Sequence, residues 1–498
     1  MDRRRFLTHT SFFVVAASAL SACGGGDDEP TGRYQFPQGV ASGDPRESSL
    51  VFWSRCVHAD GSAGDVPVRL QVSKSTRFDT LLADVALTAS ATYDFTVRAK
   101  VTGLPSATPL YYRFVAGNDF SAVGTGKTAP AAGATVPQLR FAWFTCQDWS
   151  VNHWAAMNLL AAESDLDFIV HLGDYIYETV GAAFQSGAAE PAHPRISLPN
   201  GTKLADGTVY ATTLADYRTL YRTYRGDARL QALHAKFALI ATWDDHEFSD
   251  DCWQDHQTYT NENKQETARR RAASQAWLEY MPVDFGDMSF DSANAAYTNL
   301  RIYRDFKFGN LAHLVMTDQR LYRDDHLVSE AVIAQAQGHD PINGGDSIGS
   351  RYFVQQPVLA QFEALKTQAL GRTPSMLGTT QTDWWKQTLK NSTSTWKIWG
   401  NEVMLSRLWL DLRALAPAPY NAQYVVNCDA WDGFPSHRAD LLRHITSNGI
   451  QNVVAITGDL HAFQCGVVRD DPANPATGTP ARDTLLIAAG SWLFFESA

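Results

Sequence analysis

Apolar residues recur along this chain in short runs that end abruptly at polar ones. The clearest is FIVHLGDYIYET (168–179). Phe168, Ile169, Val170 and Leu172 read as a buried β-strand that passes directly into Asp174, Tyr175, Tyr177 and Glu178. Five more runs share the form. LRFAWFTCQDW stops at Cys146, HAKFALIATWDDHEFSDD at Asp244-Asp245-His246, and NLAHLVMTDQR at Asp318. STWKIWGNEV stops at Asn401 and Glu402, and QNVVAITGDLHAF at Asp459 and His461. Helical spacing lies between them. In KQETARRRAASQAWLEYM, Ala268, Ala272, Ala276 and Tyr280 fall four apart, with Ala273, Trp277 and Met281 alongside. NHWAAMNLLAAES follows the first run and precedes the second, in strand–helix–strand order. PSHRADLLRHITSNG opens on Pro and closes on Gly, as helices often do. The alternation predicts an α/β body.

Upstream the pattern differs. Residues 34–130 hold short runs rich in Val, Phe, Tyr and Thr (SSLVFWSRC, VRLQVSKS, DFTVRAKVTGL, LYYRFVAG) separated by Gly, Pro and Asp, which predicts a small all-β domain. VTGLPSATPLYYRFVAG resembles the Leu-loop-Tyr-strand pattern of fibronectin/Ig-like sandwiches. KTAPAAGATVPQ (127–138) is a Pro/Ala/Gly linker, so a domain boundary is expected near 130, with the α/β domain over 138–498. Polar, Gly-rich stretches at 180–212 and about 323–350 predict long surface loops near a site.

The N-terminus changes the picture of where the protein works. Residues 1–23 combine a basic start, an apolar stretch from Phe12 to Leu20 and small residues before Cys23. That stretch is too short for a bilayer, which needs about 20 apolar residues. Arg3-Arg4-Arg5-Phe6-Leu7 resembles the twin-arginine export signal, and Leu20-Ser21-Ala22-Cys23 resembles a bacterial lipobox, which implies lipidation at Cys23. Residues 24–33 read as a flexible tether. The expectation is an exported lipoprotein, in the periplasm or at the cell surface, that meets the membrane only through its lipid anchor. Five cysteines remain, an odd number for an oxidising compartment, so one is expected to do something other than pair. With 498 residues, 45% of them hydrophobic, the chain has ample core; its net charge of -11 argues against sequence-specific nucleic-acid binding.

Carboxylate, imidazole, thiol and phenol at six strand ends are costly to gather on one sheet edge unless cations lie among them. Ligands do collect at such edges. GDYIY matches the Gly-Asp-x-x-Tyr motif of metallophosphoesterases, DDHE stands where that superfamily has Gly-Asn-His-Glu or Asp, and GDLH stands where it has Gly-His-x-His. With FPQGVASGDPRESSLVFWSR, FTCQ, TDQRLYRDD and DAWDGFPSHRADLL, these segments resemble the alkaline phosphatase D (PhoD-like) family from about Tyr34 to His461.

The resemblance implies a four-layer calcineurin-like metallophosphoesterase sandwich behind a small β-domain. It implies Fe(III) and Ca(II) as cofactors and hydrolysis of phosphomonoesters or phosphodiesters by a metal-bound hydroxide, for phosphate scavenging. Position by position, it places Cys146, Asp174, Tyr177, Asp244, Asp245, Asp459 and His461 in the metal shell. His246 and Asp245 become the catalytic candidates, and Asn401 reads equally as a ligand or a strand cap. In TDQRLYRDD, Asp318, Arg320 and Tyr322 read first as an ordinary ion pair and second as residues that shape the site. Expected partners are phosphate-ester small molecules or phospholipid head groups, met by a monomer. After GDLHAF the family pattern runs on for several dozen residues, which puts in question the last strand of the sheet and any substrate contact from the loop after it. Two other readings remain open: a phospholipase D-like phosphodiesterase, and a non-catalytic metal-containing binding lipoprotein. A Ser-His-Asp hydrolase is disfavoured, since no Gly-x-Ser-x-Gly string follows a suitable strand.

Overall fold

The computed structural model describes residues 34–182, 185, 190–258, 263–284, 286, 300–328, 333–338, 352–469 and 480–488. The expected leader with Cys23, the tether at 24–33, and more than half of the expected 323–350 loop lie outside them. No described helix is long and apolar enough to cross a membrane.

The N-terminal region is built from β1 (Val40–Gly43), β2 (Ser49–Arg55), β3 (Val66–Ser73), β4 (Leu81–Ala89), β5 (Thr96–Thr102), β6 (Pro109–Ala116) and β7 (Gly124–Lys127). Val66, Val68, Leu70 and Val72 of β3 and Leu110, Tyr112, Phe114 and Ala116 of β6 are buried on one face, as a period of two requires. They pack against Leu50 and Phe52 of β2. That strand breaks the alternation, since every residue of SLVFWSR is buried. Phe52 enters the N-terminal core, while Trp53 packs into a second core with Tyr217, Leu230 and Trp277. A strand covered on both faces has no solvent side to keep polar.

The reason lies in the sheet. Downstream come β8 (Phe141–Phe144), α1 (Ala155–Ala162), β9 (Phe168–His171), α2 (Leu214–Tyr224), α3 (Ala228–Lys236), β10 (Leu239–Ala241) and α4 (Thr267–Tyr280). One six-stranded sheet runs β8-β9-β10-β1-β2-β5. The N-terminal strands therefore extend the sheet of the α/β body. Gly43 pairs with Leu239, and the Asp44 amide donates to the Leu239 carbonyl at 3.0 Å. The boundary expected near 130 divides the chain but not this sheet. An ion pair closes the join: Arg304 donates from Nη2 to Asp44 Oδ1 at 2.7 Å and from Nε to Oδ2 at 3.1 Å, with both side chains buried.

A second six-stranded sheet comprises β11 (Arg304–Phe308), β12 (Ala312–Met316), β13 (Trp396–Gly400), β14 (Val453–Thr457), β15 (Gln464–Arg469) and β16 (Pro480–Ala488), in the order β11-β12-β13-β14-β16-β15. A strand occupies the position the sequence left in question: Leu485 and Ile487 pair with Val454 and Ile456. Phe168, Val170, Ile240, Leu314, Met316, Ile398 and Ile456 form one core that joins the two sheets. Residues one position out of phase face the other way. Ile169 and Leu239 pack on α1 to α4, and Val315, Trp399 and Ala455 pack on α5 (Gly378–Asn391) and α6 (Pro435–Ser447). The protein is a mixed α/β fold. Strands β8, β9 and β10 are parallel, as are β12, β13 and β14, so within each sheet these three end on a common edge.

Candidate metal centre

Three of the strand runs end at that edge in a sharp turn. Cys146, Asp174 and Asp459 adopt left-handed backbone, with φ of 54°, 56° and 66°. Aspartate visits this region with modest penalty, cysteine rarely, and such outliers gather at functional sites. The glycines of the two Gly-Asp pairs let the turns touch. A Cβ on Gly173 would stand 2.4 Å from Asp244 Cβ, and one on Gly458 would stand 2.4 Å from Thr145 Oγ1. Only glycine allows both approaches.

Four loops thereby meet. Donor atoms of Cys146, Asp174 and His461 lie within 4.8 Å of one another, as do those of Asp174, Asp245 and His246, and those of Asp244, Asp245 and Asp459. Asp174 belongs to two of these groups and joins them. The Tyr177 hydroxyl donates to Asp174 Oδ2 at 3.2 Å and lies 3.0 Å from His461 Nε2. All are buried except Asp459, partly covered, and His461 at the solvent edge. Cys146 is one of five free cysteines, with Cys56, Cys252, Cys428 and Cys465; no disulfide occurs among the described residues.

The hydrogen bonding shows whether this pocket suits a cation. One oxygen of each central carboxylate is engaged: Asp174 Oδ2 by Tyr177, Asp244 Oδ1 by Arg320, and Asp245 Oδ2 by the Asp251 amide at 2.6 Å. The other oxygens, Asp174 Oδ1, Asp244 Oδ2 and Asp245 Oδ1, are buried and accept no hydrogen bond. A buried carboxylate oxygen without a hydrogen-bond partner calls for another neighbour, such as water or a cation. Cations bound within these donor groups would satisfy them. The electrostatics agree. Burial, then neighbouring carboxylates, push Asp174 well up; burial pushes Asp244 well up against the opposing pull of Arg320. Burial and the Asp174 charge raise the Cys146 thiol and the Tyr177 phenol well above their ordinary values. Asp459 is raised to about 7, chiefly by burial. For Asp245, burial pushes upward but Arg320 and His246 outweigh it and hold the group low. A bound cation favours the charged form of every one of these donors.

His246 stands beside the pocket. Its Nδ1 lies 2.7 Å from Glu178 Oε2, its ring packs on Tyr177 at 4.1 Å, and its Nε2 lies 3.7 Å from Asp250 Oδ1. Burial disfavours its charge, yet Glu178, Asp245 and Asp174 raise it well above the usual imidazole value.

Not every sequence candidate enters the pocket. The Asn401 side-chain oxygen accepts from Gln319 Nε2 and Trp431 Nε1, both at 2.8 Å, and its amide donates to the Val403 carbonyl. That side chain is committed to bracing the end of β13. Asp318 Oδ1 accepts from the amides of Arg320 and Leu321 at 3.0 and 2.9 Å, as a turn-forming carboxylate. Four further residues matter, of which the sequence offers a site role only for Arg320, as the second reading of TDQRLYRDD. Arg320 is wholly buried at the centre of the carboxylates. Asp429 reaches it from just beyond a short strand, Gln423–Asn427, that lies outside the six apolar runs. Glu247 accepts from the amides of Tyr175 at 2.7 Å, Asp244 at 2.8 Å and Asp174 at 3.0 Å, locking two ligand loops together. Glu178 holds His246. The signals available were the last letter of DDHE, and two arginines three apart in RLYR that require acidic partners.

Comparisons with known proteins coincide with this geometry. The family described as PhoD-like phosphatase matches residues 141–483, and its N-terminal domain, PhoD-like phosphatase, N-terminal domain, matches 19–130. Alkaline phosphatase D of Bacillus subtilis (strain 168) is 30% identical over 441 residues, which make up 86% of this chain and 65% of that protein. The chain thus spans just under two thirds of that relative's length. The solved structure of PhoD superposes with a TM-score of 0.70 at 27% identity, covering 92% of this chain and 77% of the other. The longer family match takes in every pocket residue from Cys146 to His461, and the chain belongs to the PhoD-like phosphatase family.

Proposed function

We propose that this chain is a metal-dependent phosphoesterase that hydrolyses phosphomonoesters or phosphodiesters. One observation carries the reading: Cys146, Asp174 and His461, Asp174, Asp245 and His246, and Asp244, Asp245 and Asp459 form overlapping donor groups in a family-matched pocket. The thiol, phenol and imidazole side suits Fe(III), and the all-oxygen side formed by Asp244, Asp245 and Asp459 suits Ca(II). Cations held there supply Lewis acidity toward phosphate oxygens and lower the pKa of water.

The chain's own groups do the rest. Without cations the carboxylates repel a phosphate; with them the pocket has a positive centre and an anionic rim. Glu178 fixes His246 Nδ1, leaving Nε2 to donate a proton to the departing ester oxygen. The Asp251 amide holds Asp245 Oδ2, while Oδ1 accepts no hydrogen bond and lies 3.5 Å from Arg320 Nη2. His461, at the solvent edge, marks the side from which a substrate enters. The succession of helices, two sheets and helices supports reading the body as the four-layer calcineurin-like sandwich. The core that strands β2, β3 and β6 share supports a fibronectin/Ig-like module. The sequence of residues 1–23 supports twin-arginine export and a lipid tether, and with them a phosphate-scavenging role against small esters or phospholipid head groups.

Turnover of nitrophenyl phosphate and bis(nitrophenyl) phosphate by the metal-loaded protein tests the proposal, with Asp245→Asn as control. Hydrolysis of either ester, abolished in the variant, is the expected result. A metal-loaded protein that turns over neither favours the non-catalytic binding lipoprotein instead.

A further inference from the structure

Arg320 is the group that the metal reading leaves without a purpose. Its side chain has no solvent exposure. Its Nε donates to Asp244 Oδ1, its Nη1 to Asp429 Oδ2 at 2.6 Å, and its Nη2 to Asp459 Oδ1 at 3.1 Å. Nη2 also lies 3.5 Å from Asp245 Oδ1. Each arm of the fork thus meets a carboxylate from a different loop: the one after β10, the one after β14, and the segment holding Asp429.

The guanidinium is itself anchored. The Arg320 amide donates to Asp318 Oδ1, and its carbonyl accepts from the Gln254 amide at 2.8 Å. Asp429 is gripped from behind. Arg323 donates to its Oδ1 at 2.8 Å and to its carbonyl at 3.1 Å, and His326 Nε2 lies 2.8 Å from the same Oδ1. Such a fixed planar fork sets direction as well as charge, which an ammonium cannot do.

We propose that Arg320 is a positioning residue for the hard-cation side of the pocket. It occupies the outer oxygen of Asp244 and one oxygen of Asp459, turns the remaining Asp244 oxygen inward, and sets the separation of the two loops. Each of these carboxylates then offers a bound cation a single oxygen. This inference rests on the metal reading proposed above.

The test uses the full-length protein with Arg320→Lys, Arg320→Gln and Asp429→Asn, titrated with calcium alone after exhaustive dialysis. Iron content and visible absorption report the Cys146 and Tyr177 side, which Arg320 does not touch. Arg320→Lys is expected to weaken calcium binding by about tenfold or more, the range for lost supporting contacts to metal ligands, with iron content retained. Asp429→Asn is expected to weaken it in the same direction by about threefold or more, since it frees one arm of the fork. Calcium affinity at the wild-type level in Arg320→Lys would mean that charge alone suffices and would overturn the proposal. Should both Arg320 variants fail to fold, Asp429→Asn decides: unchanged affinity there overturns it equally. A wild-type protein that binds no metal defeats the functional reading itself, whereas a metal-loaded wild type with unaffected variants defeats only the role of Arg320.

Discussion

The Asp44–Arg304 pair joins the N-terminal strands to the sheet that carries the metal pocket, and its removal should be felt in both. Arg304 Nη2 and Nε reach the two oxygens of Asp44, Nη2 also donates to the Ala241 carbonyl at 2.9 Å, and Asp44 Oδ2 accepts from the Asp284 amide at 2.9 Å. Ala241 ends β10, three residues before Asp244. In Asp44→Asn the best amide orientation keeps its oxygen toward Nε and the Asp284 amide. The NH2 then faces Nη2, so the 2.7 Å bond becomes a contact between two donors. One charge-assisted hydrogen bond is lost, roughly 1.5–3 kcal/mol, and Arg304 remains buried without a counter-charge. Breaking one partner of a buried pair costs about 3–5 kcal/mol overall, so about 4 kcal/mol is expected here. Denaturant unfolding of wild type, Asp44→Asn, Arg304→Met and the double variant measures it. The double variant should be less destabilised than the sum of the singles by about 1–3 kcal/mol, because it removes the orphaned charge. A single variant within about 1 kcal/mol of wild type, or strict additivity, would refute the reasoning, since neither is compatible with a desolvated pair holding the join.

Further expectations concern the site and its surroundings. Glu247→Ala leaves the amides of Asp174, Tyr175 and Asp244 without their acceptor and should lower metal occupancy at a fixed free concentration by about tenfold, read by elemental analysis. His246→Asn should retain metal while lowering kcat toward a nitrophenyl ester by about 10²- to 10⁴-fold, the range for a lost proton donor; an equal loss of bound metal would contradict its placement beside the pocket. His437, buried with Nδ1 accepting from the Met376 amide at 3.0 Å, is lowered to about 4 by burial. Its neutral form is native, so the unfolded chain takes up the proton first. The stability it contributes is complete above about pH 6.5 and falls by up to about 3 kcal/mol as pH drops toward 4. The stability gap between wild type and His437→Gln should therefore narrow over that window in denaturation curves taken at pH 7.5 and pH 4.5.

How much of this is legible in the chain depends on whether a residue's surroundings leave a local trace. Strand runs such as FIVHL and AHLVM show their burial directly, and the residues just after a buried strand are confined to a sheet edge. The convergence of Cys146, Asp174, Tyr177, Asp245 and Asp459 can therefore be expected from the chain alone. Arg320 leaves no such trace. Its role comes from three carboxylates distant in sequence, one of them Asp429 just beyond the strand Gln423–Asn427, and RLYR alone favours an ordinary ion pair. Asn401 shows the converse. Its strand-end position matches that of the pocket residues, yet Gln319 and Trp431 saturate its oxygen, a contact no spacing rule anticipates. The join between the two halves does carry a signal, though not one that reveals the shared sheet: SLVFWSR lacks polar alternation because both of its faces are covered.

The central claim is that distant acidic and soft donors share one pocket because multivalent cations neutralise them there. Its most direct test is the metal content and visible spectrum of protein purified without chelator, beside those of Asp174→Asn. The account predicts about two or more metal equivalents per chain, iron among them with visible absorption, and loss of both metals when the shared carboxylate is changed. A colourless wild-type protein that hydrolyses phosphate esters with no metal bound would contradict it.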